Sequence, residues 1–358
     1  MIKIIGLYPL SGNGGIASWT KKFLNSFPDE QYKVFPINNS PIERHENSGI
    51  ILRIVSGLKA LIKIYKNLNE IIKQEHTQIL HTTTSGSLGS FRDYIVGRIC
   101  RKRKIKSIMH CRYGCISEDI KSNGIVGILL RAALKQYDQI WVLDSTSFNT
   151  LNSLPEYINK TKLTPNSIEV PEKVNLSPKK YNRMGFIGNL IPSKGIFELI
   201  EAAKNSNTQL DIIGPGSDEI INKIKNYAGK YLNSLIYIHG RLDNEKAIEF
   251  LNQLDIIALP TYYPSEAFPI SILEAMSRGK LVISCPRAAI KDMLTDLNGN
   301  NCGILVEPKS HKAIEDALYW IKNHPQESDL LCANAYEKVK RKYDVSIVYQ
   351  QYRNNYKS

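Results

Sequence analysis

A rhythm in the chain narrows its fold more than any other feature: short β-branched apolar runs alternate with longer amphipathic stretches, and the pattern runs twice. Residues 2–7, 33–37, 78–82, 105–110 and 139–143 read as strands, and residues 16–27 and 50–74 carry apolar side chains at helical spacing. Continuous apolar strands alternating with helices belong to a parallel sheet covered on both faces. Residues 164–179 break the rhythm with Pro165, Pro171 and Pro178 among polar neighbours. Such a stretch suits a linker. A second series follows, with strands at 183–187, 209–213, 235–239, 256–259 and 281–284 and helices at 193–204, 311–322 and 326–341.

The 358 residues provide enough material for two cores. The expected architecture is α/β: two Rossmann-like domains, residues 1–165 and 180–342, joined by a linker at 166–179. Ligands of open α/β sheets bind at the carboxyl ends of strands. Two such domains face to face would place a cleft between those ends.

Charge is uneven. Of 47 Lys and Arg, 23 fall in residues 1–165, against 12 of the 34 Asp and Glu. The first half therefore suits an anionic partner: nucleic acid, an anionic leaflet or a phosphate-bearing substrate. Residues 50–74 set Arg53, Lys59, Lys63, Lys66 and Lys73 among apolar residues, and Arg101-Lys102-Arg103-Lys104 adds a second cluster. A basic amphipathic helix of this kind fits an anionic membrane surface. No zinc finger, no RNA-recognition signature and no aromatic–basic interleaving occurs, so nucleic acid is not an expected partner. The six cysteines are scattered with no C-x-x-C pair, which reads as a reduced, cytoplasmic chain. The N-terminal segment lacks a signal-peptide layout, and no run is long and apolar enough to span a membrane.

Three motifs carry chemistry. Ser11-Gly12-Asn13-Gly14-Gly15 lies between the first strand and first helix, where backbone N–H groups can approach a phosphate. A dinucleotide fold would show G-x-G-x-x-G and an acidic residue ending the second strand; the chain has neither, which disfavours a nicotinamide-dependent oxidoreductase. Lys194 follows the first strand of the second half and is expected at a helix start. A cation there opposes the helix dipole, and an anionic ligand would supply the reason for it. Glu266 and Glu274 stand in an E-x7-E pattern around Phe268, Pro269 and Ile270. Pro269 suits a first helical turn, so Glu266 falls in a loop and Glu274 on a helix. Carboxylates there can accept hydrogen bonds from sugar and ribose hydroxyls, and the N–H groups of Phe268 and Ile270 can hold anionic oxygens.

The order Phe186-Ile187-Gly188…Lys194-Gly195, then Ile238-His239-Gly240-Arg241, then Glu266 to Glu274 resembles the retaining glycosyltransferases of family 4, which have the GT-B fold. The resemblance covers about residues 183–308. It implies that Glu274 binds the donor ribose, Glu266 the transferred sugar, and Lys194 the diphosphate. Phe268, Pro269 and Ile270 would lie along sugar and phosphate, Gly14 and Gly15 would approach the phosphates from the other domain, and Gly240 and Arg241 would lie by the base. His110 matches a family histidine near the transferred sugar, with Arg112 and Tyr113 beside it. Many members have Arg where this chain has Asn189, so Lys194 would carry more of the diphosphate charge.

The resemblance further implies a metal-independent hexose or N-acetylhexosamine transferase of bacterial surface polysaccharide (O-antigen or capsule) synthesis. Its donor would be a UDP-sugar first and GDP-mannose second, and its acceptor a glycan or a polyprenyl-diphosphate-linked glycan. No D-x-D motif occurs, and neither metal nor cofactor is expected. Residues 343–358 would pack back on the first domain. A non-catalytic glycan or nucleotide binder of the same fold is the alternative.

Overall fold

The computed structural model describes residues 1–12, 14–40, 50–174, 176, 180–295 and 301–358, with the side chains of residues 50–56 and 244 set aside. Asn13, Pro178, Lys179 and the side chain of Arg53 therefore lie outside what is described. The chain divides into two compact units, Met1–Thr164 with Tyr352–Ser358, and Pro165–Gln351.

The first unit holds β1 (Ile2–Tyr8), α1 (Gly15–Ser26), β2 (Tyr32–Asn38), α2 (Ile50–Glu75), β3 (Ile79–Thr84), α3 (Gly89–Arg103) and β4 (Lys106–Cys111). Then come α4 (Ile116–Asp119), α5 (Ile125–Leu134), β5 (Gln139–Val142), α6 (Ser145–Asn152) and β6 (Thr161–Leu163). Its strands form one parallel sheet in the order β2-β1-β3-β4-β5-β6. The two-residue period of a strand sorts its side chains. Ile5, Leu7, Leu80, Met109, Ile140 and Val142 join an apolar core with Ile64 and Leu68 of α2, Val96 of α3 and Leu130 of α5. Their neighbours Tyr8, His81, His110 and Trp141 belong to an aromatic cluster with Trp19 and Phe23 of α1. The last helix, α14 (Val345–Lys357), contributes Tyr352 and Tyr356 to that cluster. Lys106 Nζ donates to the carbonyls of Asn355 and Tyr356, satisfying acceptors that a helix end leaves open.

The second unit runs β7 (Arg183–Ile187), α7 (Ile196–Ser206), β8 (Gln209–Ile213), α8 (Asp218–Ala228), β9 (Ile236–Gly240), α9 (Asn244–Asn252) and β10 (Ile256–Leu259). It continues with α10 (Ile270–Met276), β11 (Leu281–Ser284), α11 (Ala289–Leu294), β12 (Ile304–Leu305), α12 (His311–Asn323) and α13 (Pro325–Lys342). Its sheet is also parallel, ordered β12-β11-β10-β7-β8-β9. The proline-rich stretch enters this unit through a bridge from Ile168 to Asp344.

Two local expectations change. The helix expected from 193 is a 3-10 turn, Pro192–Lys194, followed by α7. Gly195 separates them at φ +82°, in the left-handed region that glycine enters without penalty. Pro269 is the N-cap of α10 rather than a residue of its first turn. Among the described residues, no helix is long and apolar enough to cross a membrane.

Candidate functional site

In the second unit the loop after β10 carries Glu266, and several anchors fix its backbone. Tyr262 donates its N–H to the Ser193 carbonyl at 2.9 Å, tying the loop to the 3-10 turn that holds Lys194. Asn166 Nδ2, buried, donates to the Phe268 carbonyl at 2.9 Å, and the Ala289 N–H donates to the Ala267 carbonyl at 3.0 Å. Phe268 packs edge-on against Tyr343. Gly195 lets the two segments close: a Cβ there would lie 2.5 Å from the Pro260 carbonyl oxygen.

The result is a meeting of charges. Lys194 Nζ lies 3.0 Å from Glu266 Oε2, with the two side chains 15% and 11% exposed. The approach is an ion pair off hydrogen-bond alignment, and Oε2 accepts no hydrogen bond from any described residue. Oε2 therefore keeps acceptor capacity that a hydroxyl donor could use.

Glu274 sits on α10, whose Ile272, Leu273, Ala275 and Met276 are buried while Glu274 itself is half-buried. Its carbonyl accepts from Ser277 Oγ at 3.0 Å, which closes the short helix. Pro269 is buried and Ile270 half-buried beside it. Gly240 ends β9, and Arg241 is exposed in the turn that follows.

The sequence reading passed over Gly214-Pro215-Gly216, at the carboxyl end of β8. Gly214 approaches Gly188 so closely that a Cβ would meet the Gly188 carbonyl oxygen at 1.9 Å. The Gly214 N–H donates to the Gly240 carbonyl, and Leu190 donates to Pro215. The three strand ends β7, β8 and β9 are thus stitched together without side chains. The G-P-G triplet straight after a strand was the available signal.

In the first unit, Gly14 is the N-cap of α1, and Gly15 opens the helix. Both are exposed, a Cβ on either would meet nothing within 4 Å among the described residues, and no acidic residue occupies the first turn. The end of α1 is therefore open to an anion.

His110 is fully buried. Its Nε2 lies 3.2 Å from Arg112 Nη1 and its Nδ1 lies 3.2 Å from His81 Nε2; His81 Nδ1 is 2.6 Å from the Tyr356 hydroxyl. A guanidinium only donates, so His110 Nε2 accepts and its proton sits on Nδ1. His81 Nε2 then accepts in turn, and His81 Nδ1–H donates to Tyr356. Burial, and next the Arg112 charge, holds both imidazoles well below their ordinary value of 6.5, so both are neutral. Both ring nitrogens of His110 are thus engaged within the unit, by His81 and Arg112. The Arg112 guanidinium lies 4.0 Å from the centre of the Trp19 ring on α1. Tyr113 is buried nearby in the apolar core.

The basic helix α2 presents Leu58, Ile62 and Tyr65 to solvent at helical spacing, about half exposed each. Lys59, Lys63 and Lys66 are exposed beside them.

Residues 167–338 match the model of the family described as glycosyl transferases group 1. This stretch is similar to a group 1 glycosyltransferase domain. This domain carries Lys194, Glu266 and Glu274. An uncharacterized glycosyltransferase of Methanocaldococcus jannaschii is 30% identical over 156 residues, covering 42% of this chain and 39% of that protein. The D-rhamnosyltransferase of Pseudomonas aeruginosa is 25% identical over 218 residues, covering 58% of this chain and 56% of that protein. A capsular polysaccharide biosynthesis glycosyltransferase of Staphylococcus aureus is 24% identical over 246 residues, covering 67% and 60%. The chain thus spans between about two fifths and three fifths of these relatives' own length.

Sucrose-phosphate synthase from Thermosynechococcus elongatus superposes with a TM-score of 0.77 at 15% identity, over 100% of this chain and 98% of that one. HepE from Anabaena, in complex with UDP and glucose, superposes with a TM-score of 0.70 at 16% identity, over 100% of both chains. The group 1 domain is one of the two Rossmann-like units of a GT-B fold.

Proposed function

We propose that the chain is a retaining, metal-independent glycosyltransferase that moves a hexose or N-acetylhexosamine from a nucleotide-diphosphate sugar to a glycan of surface polysaccharide assembly. One observation carries this reading: the Lys194–Glu266 pair, set on rigid loops at the carboxyl end of a parallel sheet one short helix from Glu274. A cation for a diphosphate and two carboxylates for hydroxyls are what a nucleotide sugar needs. The family match and the UDP-bound neighbour support it. UDP-sugars are favoured and GDP-mannose comes second.

In the reaction, the bond from the anomeric carbon to the diphosphate oxygen breaks as the acceptor oxygen bonds to the same face. The acceptor's proton passes to the departing phosphate oxygen. Lys194 turns from Glu266 toward the growing phosphate charge, which is stabilisation aimed at the transition state. Glu266, relieved of its cation, accepts from the sugar hydroxyls while Glu274 accepts from the ribose. Phe268, Pro269 and Ile270 line the path of sugar and phosphate. Gly14 and Gly15 offer N–H groups to phosphate, and His110 acts as a positioning residue for Arg112.

The relative named for capsular polysaccharide biosynthesis supports a glycan acceptor, and the proposal extends to a glycan carried on a polyprenyl diphosphate. The exposed apolar and lysine rows of α2 support work at an anionic, cytoplasmic membrane face. Sugar transfer from radiolabelled UDP-sugars to membrane-extracted acceptors tests the reading. Incorporation that Lys194→Ala abolishes supports it; UDP-sugar turnover unaffected by that change overturns the site.

A further inference from the structure

β9 is the edge strand of its sheet, and its pairing with β8 slips near the end. Ile212 faces Ile238, but Ile213 faces Gly240, so His239 is an extra, unpaired residue. Such a bulge re-aims the chain beyond it. Gly240 follows at φ +68°, a conformation few residues other than glycine hold. Arg241 then stands exposed, and Asp243 caps α9 by accepting the Lys246 N–H at 2.9 Å.

A charge network holds the bulge. His239 Nε2 lies 2.7 Å from Asp211 Oδ1. Asp211, 1% exposed, also accepts from Arg183 Nε at 2.7 Å and Gln209 Nε2 at 3.0 Å through Oδ2. These donors keep its carboxyl below the usual range despite burial. Phe250 of α9 closes the network: its ring lies 4.4 Å from the His239 ring and 4.9 Å from the Arg183 guanidinium. The turn holding Arg241 is therefore fixed upstream by His239 and downstream by α9.

We propose that the Arg183–Asp211–His239 network is a specificity device: His239 is a positioning residue that locks the β9 bulge and so aims the Gly240–Arg241 turn at the nucleobase of the donor. This rests on the nucleotide-sugar reading above. An edge strand has one neighbour only. Without the His239 tether, the bulge can relax into regular pairing, which would shift the register of the turn by one residue. The backbone that meets the base would then move, while ribose and diphosphate contacts at Glu274 and Lys194 would stay.

Titration calorimetry of the whole protein with UDP, GDP and ADP tests this in the wild type, His239→Ala, His239→Gln and Glu274→Ala. Wild type should prefer one nucleotide. His239→Ala should weaken that nucleotide by about tenfold and the others far less, so that the preference narrows. His239→Gln, which can still donate to Asp211, should restore it. Glu274→Ala should weaken all three alike. An unchanged preference in His239→Ala, with the wild type selective, overturns this inference alone, as does an equal loss for every nucleotide. A folded wild type that binds none of the three overturns both this inference and the donor reading.

Discussion

Lys194 and Glu266, far apart in the chain, meet at 3.0 Å in the second unit. Under the proposed reading, the carboxylate would hold the ammonium until a diphosphate displaced it, and removing one partner of so little exposed a pair would leave the other charge uncompensated.

Lys194→Ala should reduce kcat by about 10²–10³, the usual effect of losing one contact to transition-state charge. Steady-state assays with saturating donor give the value. Glu266→Gln should instead raise the donor KM more than it lowers kcat, since an amide oxygen still accepts from hydroxyls. Equal effects of the two changes on every parameter would mean a merely structural ion pair.

Gly195→Ala should destabilise the protein. The residue sits at φ +82° and its new methyl would press on the Pro260 carbonyl. A left-handed non-glycine residue alone costs about 1–2 kcal/mol, and the clash adds to that. Thermal unfolding should show a midpoint lowered by several degrees, together with weaker donor binding, because the same loop carries Lys194.

The paired histidines make stability depend on pH. His81 and His110 are held well below 6.5 in the folded protein and return to about that value on unfolding. Below 6.5 the unfolded chain therefore binds more protons than the native one. Their contribution is full above that pH and is lost as pH falls toward the depressed folded values. Urea unfolding at about pH 7.5 and about pH 5.5 should show the lower midpoint at acid pH. The His81→Gln/His110→Gln variant should show a smaller difference. An undiminished difference there would assign the effect to other groups.

The exposed face of α2 should bind anionic vesicles. Basic residues near such a surface contribute about 1 kcal/mol each. Replacing Lys59, Lys63 and Lys66 by Glu should thus cut binding by at least about a hundredfold. Flotation with anionic and zwitterionic vesicles at low and high salt measures this. Binding that ignores both charge and salt would contradict it.

The fold was legible where buried apolar runs reached four residues or more. Residues 183–187, 209–213, 256–259 and 281–284 read as strands and are strands, because apolar runs in a doubly covered sheet carry their own signal. β6 and β12 were missed: Thr161–Leu163 and Ile304–Leu305 are too short for any period to show. The break at Gly195 was hidden because no local pattern marks it: the glycine is needed where the chain packs against the Pro260 carbonyl of another segment. The candidate site residues of the second unit could be singled out from motif order. Their pairing could not, since it follows from anchors such as Asn166 and Ser193 that no local pattern links to the loop. His110 stood out as a lone histidine at a strand end, but its partner His81 lies on the neighbouring strand and Tyr356 at the far end of the chain.

Calorimetric titration of the purified protein with UDP, GDP, ADP and NAD, in the wild type and in Glu274→Ala, tests the central claim most directly. The account predicts binding of UDP, or failing that GDP, with affinity lost in Glu274→Ala. Binding of NAD alone, or of no nucleotide by a protein shown to be folded, would contradict it.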